Sequence, residues 1–349
     1  MIRTGTARAA SLLLVLLSGC LDVETKTVVH SDGSIVRTVS FTGDSASVFT
    51  DRLPMDVDDT WKISTRKIDD RKFVRTASRL FTNARNLDKA VSGTKGNSIQ
   101  IRVSLEQSFR WFFTEYTYRE KYLTVHQFTT VPIHNYVSES EIESGIQHEI
   151  KKEPFKTRGD SLALEDAGQR FEEWRARSVF EEYFAALMEG ARRIGKPSLP
   201  PDTLAAYKEQ LFSIAEAKIE ANNLDTLGSM FASVLRSSAV TEAIKANMQV
   251  FEDLKERLRF EQSLMSNGYK ASVEMPGLIT DTNAGTVEGS TAIWQDFITF
   301  AYIRDYEMWV TSRAVNWWMV IITGIFIVLG IALYGLKFLV NRTRLHDIK

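Results

Sequence analysis

Cysteine is almost absent from this chain: a single residue, Cys20, among 349. One cysteine excludes an internal disulfide and any thiolate-built zinc or iron–sulfur centre. Histidine is scarce as well. None of His30, His126, His134, His148 and His346 stands in an H-x-x-x-H or H-E-x-x-H pair, so the sequence calls for no metal and no cofactor. A basic excess is missing, and a formal net charge of -1 argues against a nucleic-acid partner. There is no G-x-S-x-G elbow, no phosphate-binding glycine loop and no dinucleotide fingerprint, hence no catalytic residue to nominate. Long apolar runs are lacking too, with one exception. Residues 317–336 carry no charge, and about 20 residues at ~1.5 Å each match the ~30 Å hydrocarbon thickness.

That exception gives the lone cysteine its meaning. Arg3 and Arg8 precede a short apolar core at Ser11–Leu17, which is the pattern of a secretory signal. Leu17-Ser18-Gly19-Cys20 then matches a lipobox, so residues 1–19 are expected to be removed and Cys20 to carry a lipid. The plainer alternative is a signal peptide with an incidental cysteine. At the other end, a membrane helix is expected over 315–340. The short basic tail 341–349 would then lie in the cytoplasm by the positive-inside rule. The expected location is the cytoplasmic membrane, with the intervening chain on the extracytoplasmic side.

No Ser/Gly-rich tether follows Cys20. Asp22–His30 reads at once as a strand, Ser31-Asp32-Gly33-Ser34 as a hairpin turn, and Ile35–Thr42 as the returning strand. Further strands are expected near 61–68, 73–81 and 98–105. The segment 109–122 places rings at Phe109, Trp111, Phe113, Tyr116, Tyr118 and Tyr122. Core packing is one reading of it. The other is a ligand or interface surface carried by Trp111, Phe113, Tyr116 and Tyr118. With so little spare chain, the first strand and the segment before the span are expected to share the membrane-proximal edge.

From Ser138 the period changes. Ile142, Ile146 and Ile150 follow a capping-box spacing. A longer helix capped by Asp160 or Ser161 buries Leu164, Ala167, Phe171, Trp174, Phe180, Phe184 and Leu187, and stops at Gly195–Pro201. Another helix starts at Asp202, and a final long one runs from Val240 through Leu258. Either these stripes pack only on one another or they form a subdomain that docks a protein partner. Residues 266–314 return to β patterning, with a strand at 268–277, a turn, and a strand over 286–295.

Met275-Pro276-Gly277, Thr282-Asn283-Ala284, Gly289 and Trp294, together with the lipobox, strand and Asp-Gly hairpin at 20–42, resemble LppM-type bacterial lipoproteins. The likeness covers the two ends of the chain, and the helical stretch departs from that family's compact pattern. It implies an α+β envelope domain that binds a lipid or lipid-linked glycan, with no catalytic residues to carry over. The expected architecture is therefore α+β. An antiparallel β domain is built from 20–137 and 266–314, a helical insert occupies 138–265, and one C-terminal membrane helix follows. The expected function is a non-enzymatic, membrane-anchored lipoprotein engaging a lipid, glycan or membrane-protein partner near the bilayer. Two alternatives stand beside it: an envelope hydrolase with dispersed carboxylates, and an assembly factor for a membrane complex.

Overall fold

β-Branched residues on either side of an Asp-Gly turn build the first hairpin, β1 (Asp22–Val29) and β2 (Ile35–Gly43), paired from Asp22↔Thr42 to Val29↔Ile35. The computed structural model describes residues 21–49, 55, 57–92, 98–151 and 157–346. The signal segment and Cys20 lie outside the described residues. After the hairpin come α1 (Ser45–Val48), β3 (Lys62–Lys67), β4 (Phe73–Phe81), α2 (Ala84–Val91), β5 (Ile101–Arg110) and β6 (Phe113–Tyr122). The helical stretch holds α3 (Glu139–Lys151), α4 (Arg158–Ile194), α5 (Pro201–Ala206), α6 (Lys208–Glu220), α7 (Leu227–Val234), α8 (Ala239–Ala246) and α9 (Met248–Ser266). The chain closes with β7 (Gly268–Glu274), β8 (Leu278–Thr282), β9 (Thr286–Glu288), β10 (Thr291–Gln295), α10 (Ile298–Ile303), β11 (Tyr306–Val315) and α11 (Trp317–His346).

The strands form two sheets, ordered β3-β4-β2-β1-β7-β10-β9 and β5-β6-β11-β8. The fold is α+β as expected, and strands from both ends of the chain share each sheet. The β1–β7 pair is parallel, with Asp22 opposite Gly268, whereas the other pairs among the described residues are antiparallel.

Residues 278–295 depart from the sequence reading. They form three strands in place of a turn and one strand, and β8 belongs to the second sheet. Gly277 makes the transfer possible. Its φ is +82°, and an added Cβ would stand 2.1 Å from the Arg313 carbonyl oxygen, so only glycine lets the chain cross there. The segment before the span, to which no element was assigned from sequence, is β11. It pairs with β6 from Tyr306↔Tyr122 to Val315↔Phe113, so the membrane helix starts at Trp317.

In the helical stretch, Thr157 caps α4, and Asp160 reciprocates as the third helical residue. This places the cap one turn before the expected Asp160 or Ser161. Gly195, at φ 57°, ends the helix in the left-handed conformation. The expected final helix is broken at Asn247, whose buried side-chain amide donates to the Ala186 carbonyl at 3.0 Å. One apolar core lies between the sheets and takes in Ala167 and Trp174 of α4 and Leu264 of α9. A second core holds Phe180, Phe184 and Leu187 of α4 with Phe231, Val240, Phe251 and Leu258. α4 and α9 therefore belong to both cores and tie the helices to the sheets.

Candidate membrane-facing site

The β5–β6 hairpin and the start of α11 are built against each other. Arg110 pairs with Phe113, which leaves Trp111-Phe112 as a two-residue turn. Asn316, between β11 and α11, clamps it. Its backbone N–H donates to the Phe112 carbonyl (2.9 Å), its side-chain amide donates to the Arg110 carbonyl (2.8 Å), and its amide oxygen accepts from the Thr114 hydroxyl (3.0 Å). Trp111 Nε1–H donates to Thr323 Oγ1 at 2.9 Å. Phe109 stacks on Trp318, with ring centroids 6.2 Å apart at 25°. Arg313 sits 4.9 Å above the Phe113 ring and donates to Glu115 Oε2 at 2.8 Å.

The four aromatic positions nominated from sequence separate here. Trp111 is about half exposed (53%) at the turn. Phe113 is partly covered, whereas Tyr116 (4%) and Tyr118 (0%) are inside the core between the sheets. Strand alternation explains the division: even-numbered residues of β6 from Tyr116 onward face inward. The Tyr116 hydroxyl donates to the Ser31 carbonyl at 2.9 Å, which fixes the β1–β2 turn beside the membrane end of the second sheet.

That contact creates a groove of about 630 Å³ between the β1–β2 turn, the start of α2 and β5. Asp32, Thr82, Asn83, Arg85, Asp88 and Gln107 supply a polar rim, and Val103 and Leu105 supply apolar surface. Gly33 closes the turn at φ +85°, and the Gln107 side chain lies where a Cβ would be. Asp32 accepts from the Ser34 hydroxyl (2.7 Å) and backbone N–H (2.9 Å), which holds its carboxyl below the ordinary carboxylate range. Asp88 accepts from the Val103 N–H at 2.7 Å. A glycosidase acid needs a raised carboxyl pKa, and Asp32 is shifted the other way. From sequence Asp32 is only a turn residue, and Gln107 carries no signal. Only the Asp-Gly turn was legible there, because the groove needs two segments brought together.

The start of the first strand and the start of α11, expected at one edge, do not share it. Since β1 pairs with β2 and β7, it runs toward the membrane helix and begins at the far end. Leu21 N–H donates to Asn267 Oδ1 there at 3.2 Å. Phe297 links that end of both sheets, with centroids 4.7 Å from Tyr122 and 6.2 Å from Tyr269, the partner of Val23. Between that end and Trp317 lies the ten-residue strand β11, roughly 30 Å long.

Two buried polar clusters lie deeper. Arg37 meets Glu120 through two hydrogen bonds of 2.8 and 2.7 Å, with both side chains buried. The Tyr118 and Tyr122 hydroxyls also donate to Glu120. Farther out, Tyr302 donates to Glu261 Oε2 at 2.7 Å, and His126 Nδ1 lies 3.2 Å from Glu261 Oε1. Glu261 also accepts the Gln127 N–H, joining α9 to the loop after β6. Among the described residues no three His, Cys, Asp or Glu side chains gather as a metal site.

Among the described residues one helix, over Trp317–Lys337, is long and apolar enough to cross a membrane, with mean hydropathy 2.5 and 6% of it buried in the protein. No protein-family model and no curated protein matches the chain. Among solved structures it is similar to the NMR structure of the folded domain of LppM from Mycobacterium tuberculosis. The identity is 8%, the coverage is 85% of this chain and 91% of that one, and the TM-score is 0.29. That likeness is too slight to carry site residues or an activity across.

Proposed function

We propose that this chain is a non-enzymatic, membrane-anchored envelope lipoprotein whose groove takes the polar headgroup of a membrane amphiphile, a lipid or a lipid-linked glycan. The observation that carries the reading is the place of the groove. It opens beside the β1–β2 turn and runs along β5 from Val103 to Gln107, on the strand whose turn packs against the apolar helix α11. Its lining suits such a ligand: amides, hydroxyls, one guanidinium and two carboxylates for a polyol or phosphate, beside apolar Val103 and Leu105. The carboxylates Asp32 and Asp88 are engaged in holding the turn and the strand, which favours binding over hydrolysis.

A lipid on Cys20 is the second part of the reading. Leu21 starts from the end away from Trp317, so a lipid on Cys20 would be an attachment separate from the helix.

Native mass spectrometry of the full-length protein released from nanodiscs tests the ligand. Wild type should retain a lipid or glycolipid, and Arg85→Glu combined with Gln107→Ala should lose most of it. Retention equal in wild type and variant, or no retained amphiphile, would refute the groove assignment. Intact-mass measurement of the mature N-terminus tests the lipid on Cys20 separately.

A further inference from the structure

The length of the span and one hydrogen bond set the depth of the β5–β6 turn. Trp317–Lys337 is 21 residues. At ~1.5 Å per residue it covers the ~30 Å hydrocarbon layer with almost nothing to spare. Thr323 is six residues beyond Trp317, about 9 Å along the helix. Since Trp111 donates to Thr323 and Phe109 stacks on Trp318, the turn accompanies the helix past the point where the span begins.

Three independent features fit an apolar surrounding at that level. The first is exposure: Phe109, Trp111 and Phe112 are 56%, 53% and 50% exposed and continuous with Trp317 and Trp318. Such a cluster on a water-facing turn would cost apolar burial, whereas indole and phenyl rings favour the headgroup–acyl boundary. The second is turn chemistry. A hairpin tip that faces water carries polar and glycine residues, as Ser31-Asp32-Gly33 does, yet here it is Trp-Phe. The third is hydrogen bonding. Asn316 donates to the Arg110 and Phe112 carbonyls, and Thr323 accepts from the indole N–H, partners that backbone acceptors and ring donors require away from water.

We infer that the turn Phe109–Phe112 is a wedge inserted into the leaflet on the ectodomain side, seated among lipids beside the first two turns of the membrane helix. Its occupant is lipid, because the surface is continuous with a helix whose own surroundings are lipid. The wedge fixes the domain against the bilayer instead of leaving it to swing about residue 316. It is separate from the groove and does not rest on the headgroup reading.

The test places a photoreactive benzophenone side chain at position 112, at position 109, and as control at the exposed position 65 in β3, in full-length protein in nanodiscs. Irradiation should attach lipid at 112 and 109 many-fold more than at 65. Adducts at 112 and 109 only to protein, whether a second copy or a membrane partner, would overturn the wedge. Absence of lipid adducts there, or equal labelling at 65, would do the same. These exposed positions tolerate large side chains, and a circular-dichroism spectrum identical to wild type certifies each labelled protein.

Discussion

At the residue scale the most consequential contact is Arg37–Glu120. Burial alone would push the Glu120 carboxyl up. The Arg37 charge, with hydrogen bonds from Arg37, Tyr122 and Tyr118, outweighs that and holds it below the ordinary carboxylate range. Burial and the Glu120 charge push the Tyr118 and Tyr122 hydroxyls well above theirs, so both stay protonated donors. The sign for stability follows. A depressed folded-state pKa contributes stability above the unfolded glutamate value, near 4.3, and that contribution disappears as pH falls through the folded value. Urea-unfolding midpoints should therefore decline as pH drops from about 5 toward 3, and Glu120→Gln should remove that part of the decline. Glu120→Ala should cost roughly 3–5 kcal/mol, because it strands a buried guanidinium. Arg37→Met with Glu120→Leu should recover only part of the loss, since two tyrosine hydroxyls lose their acceptor. The phase of this pair was readable in the sequence: Arg37 alternates with Ile35, Val39 and Phe41, all on the inward face. Its partner was not, because Glu120 lies 83 residues away on the other sheet.

At the element scale, the join between β11 and α11 decides how the domain meets the apolar helix. Asn316 accepts the first helical N–H groups of Met319 and Val320 on its carbonyl, while its side chain serves the hairpin. Asn316→Ala should cost about 1–2 kcal/mol and, more tellingly, speed amide exchange across residues 110–114 while leaving β1 and β2 protected. α4 offers a second test. A Cβ at Gly190 would stand 2.2 Å from the Ala243 carbonyl oxygen, so α4 and α8 approach as closely as backbones allow. Gly190→Val should lower the thermal midpoint and loosen the helical core first, seen as early exchange in α8. The α4 stripe was legible because a 3.6-residue period survives in any helix. The break at Asn247 was not, because it exists to place an amide on the Ala186 carbonyl of another helix.

For the whole molecule, β1 begins at the end of the fold away from Trp317, so the proposed lipid on Cys20 and the helix are attachments that can be tested one at a time. Cys20→Ser should leave the protein in carbonate-washed membranes, since the helix alone suffices. A chain ending at residue 315 should remain there only while Cys20 is present. Fractionation of both variants checks this, and release of the truncated protein that still carries Cys20 would count against lipid at that residue. The helices and sheets should unfold together, because α4 and α9 contribute to both cores. A single calorimetric transition for the ectodomain is the expected result.

Local order alone determined the span, the lipobox pattern, the alternating strands and the helical stripes, because each is a period or motif contained within one segment. The same order put rings at 111, 113, 116 and 118 without saying which would meet solvent. Only tertiary structure decided that Tyr116 and Tyr118 close the core while Trp111 reaches Thr323. It also decided that β1 points toward α11 and starts at the far end. That direction comes from pairing Asp22 with Gly268, a contact between residues far apart in the chain. Periodicity tells which face of a strand is buried. Which neighbour it pairs with, and which end it begins from, is set by how distant segments share a sheet.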